Sequence, residues 1–247
     1  MLVRGCCPAA IAILLAGSAI QADAGSSRLV VAIDPQMTAA DAVRDGVTMG
    51  LEEAERAAAL LGRALEVSWE DWPPASLPFR TDGLVIAAPE HALQRLAGQP
   101  LAAPVIAVTA RWTARSSPPR QWFVVEHRGA DAPGTAPAGC DELRHDAWDG
   151  SLQRYGAGQL NERFERRYGR PMSGAAWAGW VAVKALTEAV LRATATAPEP
   201  VADALRALRL DGHKGRALHF DESQRLVHPY YAVVTCGGET RVEEVSP

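Results

Sequence analysis

The sequence predicts an α/β protein with a doubly wound, mostly parallel sheet and an antiparallel β tail at its C-terminal end. Three observations predict this. Between residues 28 and 127 short β-branched runs alternate with helical patterns, and these runs are apolar at nearly every position. After residue 210 the pattern changes to short strands divided by turn residues. A strand covered on both faces does not need the polar alternation of a half-wet one, so continuous apolar runs point to a parallel sheet with helices on either side.

The elements follow in order. Arg28–Ile33 (RLVVAI) reads as a strand that stops at Asp34-Pro35, because proline cannot donate to a sheet ladder. From Thr38 the spacing becomes helical. Ala42, Val43, Val47, Leu51, Ala54, Ala58 and Leu61 share one face, with Thr38 as the expected N-cap, Asp41 in the first turn and Gly62 near the end. Leu65–Trp69 and Gly83–Ala88 (GLVIAA) read as strands, Glu90–Leu96 as a short helix, and Pro104–Thr109 and Gln121–His127 as further strands. Residues 129–140 are rich in proline and small residues and carry no periodicity, which marks a boundary. Helices are then expected at Leu152–Tyr168, from Gly174 to about Ala193, and at Pro198–Leu208. Strands at Arg216–Phe220, Tyr230–Thr235 and Thr240–Val245 close the chain, separated by Asp221-Glu222-Ser223 and Gly237-Gly238.

Composition narrows the function. The 247 residues are 48% hydrophobic and 22% charged, with a mean hydropathy of -0.07, which suits a globular protein with a packed core. A net charge of -4 without a basic cluster argues against nucleic acid as a partner. Of the 25 basic residues only Lys184 and Lys214 are lysines, a bias that goes with the heavy use of alanine and reads as codon usage.

The N-terminal stretch reads as a cleaved secretory signal peptide. Arg4 precedes an apolar run from Ala9 to Ile20, and Ala22-Asp23-Ala24 offers the small residues that a signal peptidase reads. The run is far shorter than the ~20 residues of a spanning helix, so no stable membrane anchor is expected. Export leaves Cys140 and Cys236 as the remaining cysteine pair. In an oxidising compartment these are candidates for a disulfide, but they could equally be two separate buried thiols, because sequence spacing does not fix their distance.

Chemistry-bearing motifs are scarce. The chain has no GxSxG elbow, HExxH helix or phosphate-binding loop, and Gly156-Ala157-Gly158 lacks both a third glycine and a preceding strand. No enzyme activity, cofactor or metal is therefore expected. Asp141, Glu142, Asp146 and Asp149 crowd around His145, and this cluster reads as a solvated loop in preference to a cation site. Trp177 and Trp180 lie at i, i+3, where core packing is expected. Trp112 and Trp148 fall in loops, either as aromatic platforms for a ligand or as side chains buried beneath the loop.

Ligands of open α/β sheets sit at the carboxyl ends of the strands. Here those ends are Asp34-Pro35-Gln36, Ala88-Pro89-Glu90 and Thr109-Ala110-Arg111-Trp112. The candidate ligand-binding residues are accordingly Gln36, Thr38, Glu90, Thr109 and Trp112. Free N–H groups at the helix starts near Thr38 and Glu90 are available to an anionic group.

Two stretches carry a resemblance. GRALHFDESQRLVHPYYAVVTCGGETRVEEV is similar to the closing strands of type I periplasmic substrate-binding proteins of the leucine/isoleucine/valine-binding class. AWDGSLQRYGAGQLNERFERRYGRPMSGAAWAGWVAVKALTEAV resembles the segment that precedes them in that class. Arg163-Phe164, Gly169-Arg170-Pro171-Met172, Trp177-Ala178-Gly179-Trp180 and LDGHKGRAL at Leu210–Leu218 resemble a subgroup associated with pyrroloquinoline quinone (PQQ)-dependent alcohol oxidation.

The resemblance implies a periplasmic solute-binding protein that takes a small polar or organic ligand, with an ABC permease as partner. The alternative it implies is an accessory or scaffold protein of a periplasmic quinoprotein alcohol dehydrogenase. Binding proteins of this class close one lobe on another, and here only residues 128–151 stand where the main block of the second lobe belongs; one βαβ unit alone needs ~30 residues. The expected organisation is a signal peptide at 1–24, a first α/β lobe at 25–128, a linker in place of most of the second lobe at 129–151, returning helices at 152–209 and a β tail at 210–247.

Overall fold

A computed structural model describes residues 26–74, 81–113, 118–128, 136–140, 142–193 and 197–245. The expected signal peptide, and most of the proline-rich stretch after residue 128, lie outside the described residues. Five strands form one parallel sheet: β1 (Ser27–Ile33), β2 (Leu65–Glu70), β3 (Gly83–Ala87), β4 (Val105–Thr109) and β5 (Trp122–Glu126), in the spatial order β2-β1-β3-β4-β5. Every residue of β3, β4 and β5 is buried. The two faces feed different cores, since side chains alternate along a strand. Leu29, Val31, Val85, Ile106, Phe123 and Val125 join the larger core, whereas Val30, Leu84, Ile86, Val105 and Val124 face α2 (Glu90–Ala97) in a smaller one.

The larger core lies under α1 (Ala40–Leu60) and α4 (Gly174–Arg192). These helices pack at backbone distance because glycines face each other's turns. A Cβ added at Gly46 would come within 1.8 Å of the Ala176 carbonyl oxygen, and one at Gly179 within 2.5 Å of the Val43 oxygen. Trp177 and Trp180 are buried in this core, as their spacing predicts. The expected N-cap Thr38 does not cap α1. Ala39 holds that position in a left-handed conformation, with φ 69°, and Thr38 is exposed. The chain is turned earlier, by Asp34, whose Oδ1 accepts from Gln36 N and whose carbonyl accepts from Met37 N; Met37 is then buried in the core. At the other end Gly62 takes φ 67°, and Arg63 N donates to Ala58 O, which closes the last turn.

The sequence assigns no element to residues 141–151, yet Glu142–Asp146 form β6. This strand pairs antiparallel with β10 (Tyr230–Cys236), which pairs in turn with β11 (Glu239–Val245). The helix expected from Leu152 starts later. Arg154–Gly156 is a 3-10 turn broken at Tyr155, with φ 57°, so α3 runs over Ala157–Tyr168. After α5 (Pro198–Arg206), the strands β7 (Leu210–Asp211), β8 (Ala217–Phe220) and β9 (Leu226–Val227) form a third small sheet. Its Phe220 meets Phe123 of β5 edge-on at 4.9 Å. The C-terminal β region therefore divides, its first part packing on the parallel sheet and its last two strands forming a separate sheet with β6.

Candidate functional site at the carboxyl edge of the sheet

The strand order places the ends of β1, β3, β4 and β5 side by side. Glu90, the first residue of α2, accepts hydrogen bonds from Thr113 N at 2.7 Å and Thr113 Oγ1 at 2.8 Å, and its own helix adds Gln94 Nε2 at 2.8 Å. The loops after β3 and β4 are tied together by this carboxylate. One strand further on, Glu126 is only 8% exposed. It accepts from Trp112 N and from Arg225 through Nη2 at 2.5 Å and Nε at 3.2 Å. A buried carboxylate held by a guanidinium and a main-chain N–H is a fixed support for the loop it grips.

The five sequence-predicted residues divide into two kinds. Gln36 and Thr38 stand exposed on the loop after β1, and their side chains make no hydrogen bond among the described residues. Glu90 lies at the rim. Thr109 is buried, and its carbonyl accepts from His127 N. Trp112 is no open platform, because its ring is buried in the smaller core, with Nε1 lacking a hydrogen-bond partner among the described residues. Trp148 is likewise core. It stacks on Trp177 with centroids 6.0 Å apart and donates through Nε1 to Asn161 Oδ1 at 2.7 Å. Of the acidic cluster around His145, Asp149 pairs with Arg144 and caps Ser151, and Asp146 Oδ1 accepts from Ala147 N. Asp141 and the Glu142 side chain lie outside the described residues, and no group of three metal-ligating side chains occurs among the described residues.

A buried cluster that sequence reading missed stands behind this edge, where the chain passes between the two larger sheets. Lys214 is 1% exposed. Its Nζ donates to Ala147 O and to Pro229 O, and has His228 Nδ1 at 3.4 Å. The ammonium also sits over the rings of Trp177, at 4.1 Å, and Tyr231, at 4.8 Å. An ammonium has three donors and no acceptor, and here two carbonyl oxygens, the His228 ring and aromatic faces surround it. His228 Nε2 lies 3.2 Å from Glu126 O, and Ala147 N donates to His127 O. Among the described residues, the segments after β5, after β6 and before β10 are thereby joined.

Burial governs the titration of this cluster. It pushes Lys214 well below the ordinary lysine value, against the opposing charges of Asp146 and Glu244. Burial also lowers His127 to about 4, helped by Arg128, and His228 to about 3, helped by Lys214. Asp146 is raised by burial to about 6, although Ala147 N–H and the guanidinium groups of Arg144 and Arg128 pull the other way. Gly174 is required beside it, since a Cβ there would lie 1.7 Å from Asp146 Oδ1. The one sequence signal for Lys214 was its rarity in a chain that otherwise uses arginine.

The comparisons bear on this architecture. Residues 145–239 match the periplasmic binding protein family. An ABC transporter substrate-binding protein from Desulfitobacterium hafniense, solved with Leu, superposes with a TM-score of 0.67 at 13% identity, covering 90% of this chain and 100% of that one. The fold is that of a type I periplasmic binding protein. The branched-chain amino acid binding protein LivJ from Streptococcus pneumoniae, in complex with isoleucine, gives 0.65 at 10% identity over 90% and 100% of the two chains. A solute-binding protein from R. palustris in complex with benzoate gives 0.60 at 11% identity over 90% and 98%. None of the curated proteins is similar in sequence. The periplasmic binding protein fold and the α/β class read from the sequence agree with these findings. Among the described residues no helix is long and apolar enough to cross a membrane.

Proposed function

We propose that this chain is a periplasmic solute-binding protein, the substrate-binding component of an ABC transport system, and acts without catalysis. The observation that carries the reading is the bond from Thr113 to Glu90, which joins two neighbouring strand ends where open α/β sheets take their ligands. On this reading Gln36, Thr38, Glu90 and Thr113 form the polar rim, and Thr109 and Trp112 support it from below. The ligand is small and polar or organic. Solved neighbours of the same fold hold leucine, isoleucine and benzoate, which makes these the first compounds to try. Residues 1–24 act as the export signal, and an ABC permease is the partner. The accessory role in PQQ-dependent alcohol oxidation rests on the sequence resemblance alone.

The test is titration of the mature protein with leucine, isoleucine and benzoate, followed by thermal shift and calorimetry. A ligand that binds only the native state raises Tm with concentration. The expected result is a saturable rise for at least one compound, reduced about tenfold in affinity by Thr113→Val, the equivalent of ~1.4 kcal/mol. Absence of a shift across the panel, with co-purification of a dehydrogenase in place of a permease, would overturn the transport reading.

A further inference from the structure

A pocket of about 470 Å³ lies between the β10–β11 hairpin and the turn before α3. It shares no lining residue with the carboxyl edge, and its volume falls in the range of small-molecule sites, ~300–1,000 Å³. We propose that it binds a small aromatic carboxylate.

Two non-glycine residues in left-handed conformations hold one wall, Tyr155 with φ 57° and His213 with φ 60°. Such conformations are unfavourable for a residue that carries a side chain and persist where the surroundings impose them. Here each fixes the other. His213 Nδ1 lies 3.1 Å from Tyr155 O, His213 N donates to Asp211 Oδ1 at 2.8 Å, and the imidazole stacks on Trp180 at 5.6 Å. The Tyr155 ring lies on Gly215, where an added Cβ would come within 2.5 Å of ring carbon Cε2. The residue is nonetheless 62% exposed. Its backbone strain thus holds an aromatic ring at the pocket with little burial in return, which suits a stacking surface for a planar ligand.

The charge balance selects an anion. Arg154 lines the pocket, and its guanidinium makes no ion pair or hydrogen bond among the described residues. Glu244, the acidic residue on the opposite wall, is already paired with Arg216. The Tyr231 hydroxyl also has no partner among the described residues. Leu152, Ala157 and Val242 supply the apolar remainder of the lining. An open guanidinium beside an open ring, with the nearby carboxylate neutralised, matches a ligand that carries its negative charge on a flat apolar body.

The experiment compares phenylacetate, 2-phenylethanol and cyclohexylacetate by calorimetry on the mature protein. The first has both ring and charge, the second lacks the charge and the third lacks the aromatic face. Saturable phenylacetate binding, at least about tenfold tighter than either analogue, is expected. Arg154→Ala and Tyr155→Gly should each weaken it by a similar factor. Glycine accepts φ 57° without strain, so Tyr155→Gly should hold or raise Tm while binding falls, which separates lost recognition from lost folding. Equal binding of all three probes, no binding, or indifference to both substitutions would overturn the assignment. Loss of phenylacetate binding in Thr113→Val with Arg154→Ala unaffected would place the compound at the sheet edge and overturn it as well.

Discussion

The Lys214 ammonium lies 4.1 Å from the centroid of the Trp177 ring, with both residues fully enclosed. Its hydrogen bonds go to main-chain oxygens of Ala147 and Pro229, which belong to different passages between the sheets. Lys214→Met keeps much of the aliphatic volume but leaves those two carbonyls without their donor. Leaving two buried acceptors unpaired is expected to cost about 2–6 kcal/mol, roughly 1–3 kcal/mol for each. Urea denaturation measures it, and a cost below ~1 kcal/mol would show that the ammonium is dispensable.

The buried histidines and Asp146 set the response to acid. The folded-state values of His127 and His228 lie below the ordinary value of 6.5, at about 4 and about 3. The unfolded chain therefore binds protons there first, and stability falls as pH drops below 6.5. Asp146 acts in reverse, because its value rises from 3.8 to about 6, so its contribution is fully present at low pH and is lost as pH rises through 6. Two groups oppose one between pH 4 and 6. Stability should increase with pH across that window by roughly 1.4 kcal/mol per pH unit, the slope for one net proton. Denaturation at pH 4, 5 and 6 tests this, and His228→Gln should flatten the profile.

Gly46 should be the least replaceable glycine of α1. Alanine there places its Cβ 1.8 Å from a backbone oxygen of α4, and backbone can relieve the clash only if the helices separate. Overpacking of this kind costs typically 1–3 kcal/mol and more where the backbone is involved. Gly62→Ala provides the contrast, since nothing lies within 4 Å of the added carbon. Only the positive φ is strained there, at a cost of about 1 kcal/mol. Thermal melts of the two variants should rank in that order.

Cys140 and Cys236 are joined in a disulfide across a sequence separation of 96. A closed loop of that length restricts the unfolded chain enough to contribute ~2–4 kcal/mol. Cys140→Ser together with Cys236→Ser should lower Tm accordingly. Thiol titration under denaturing conditions should give no free thiol from this pair before reduction and two after it.

The parallel sheet was legible because its strands are written in side chains that water rejects. RLVVAI, GLVIAA, PVIAVT and QWFVVEH fall within a residue or two of β1, β3, β4 and β5. β6 was not legible, because Glu-Leu-Arg-His-Asp carries one apolar residue and becomes a strand by pairing with β10. The start of α3 was misread for a local reason, the left-handed turn at Tyr155 and Gly156. The rim at Glu90 came from a general rule about strand ends, whereas its partner Thr113 has no pattern that singles it out. Lys214 looks like codon usage in the sequence because its partners are main-chain oxygens 67 and 15 residues away. Such contacts leave no periodicity in the sequence.

The grip of Lys214 on Ala147 and Pro229, with His228 against Glu126, also bears on how a permease would recognise cargo. Because these described segments between the two sheets are bonded to one another, turning one sheet against the other breaks several buried hydrogen bonds at once. On the proposed function, a receptor docking on this protein would therefore meet nearly the same outline whether the site is filled or empty. To tell the two apart it would have to touch the bound molecule itself, and delivery specificity would then rest on ligand atoms left exposed at the rim.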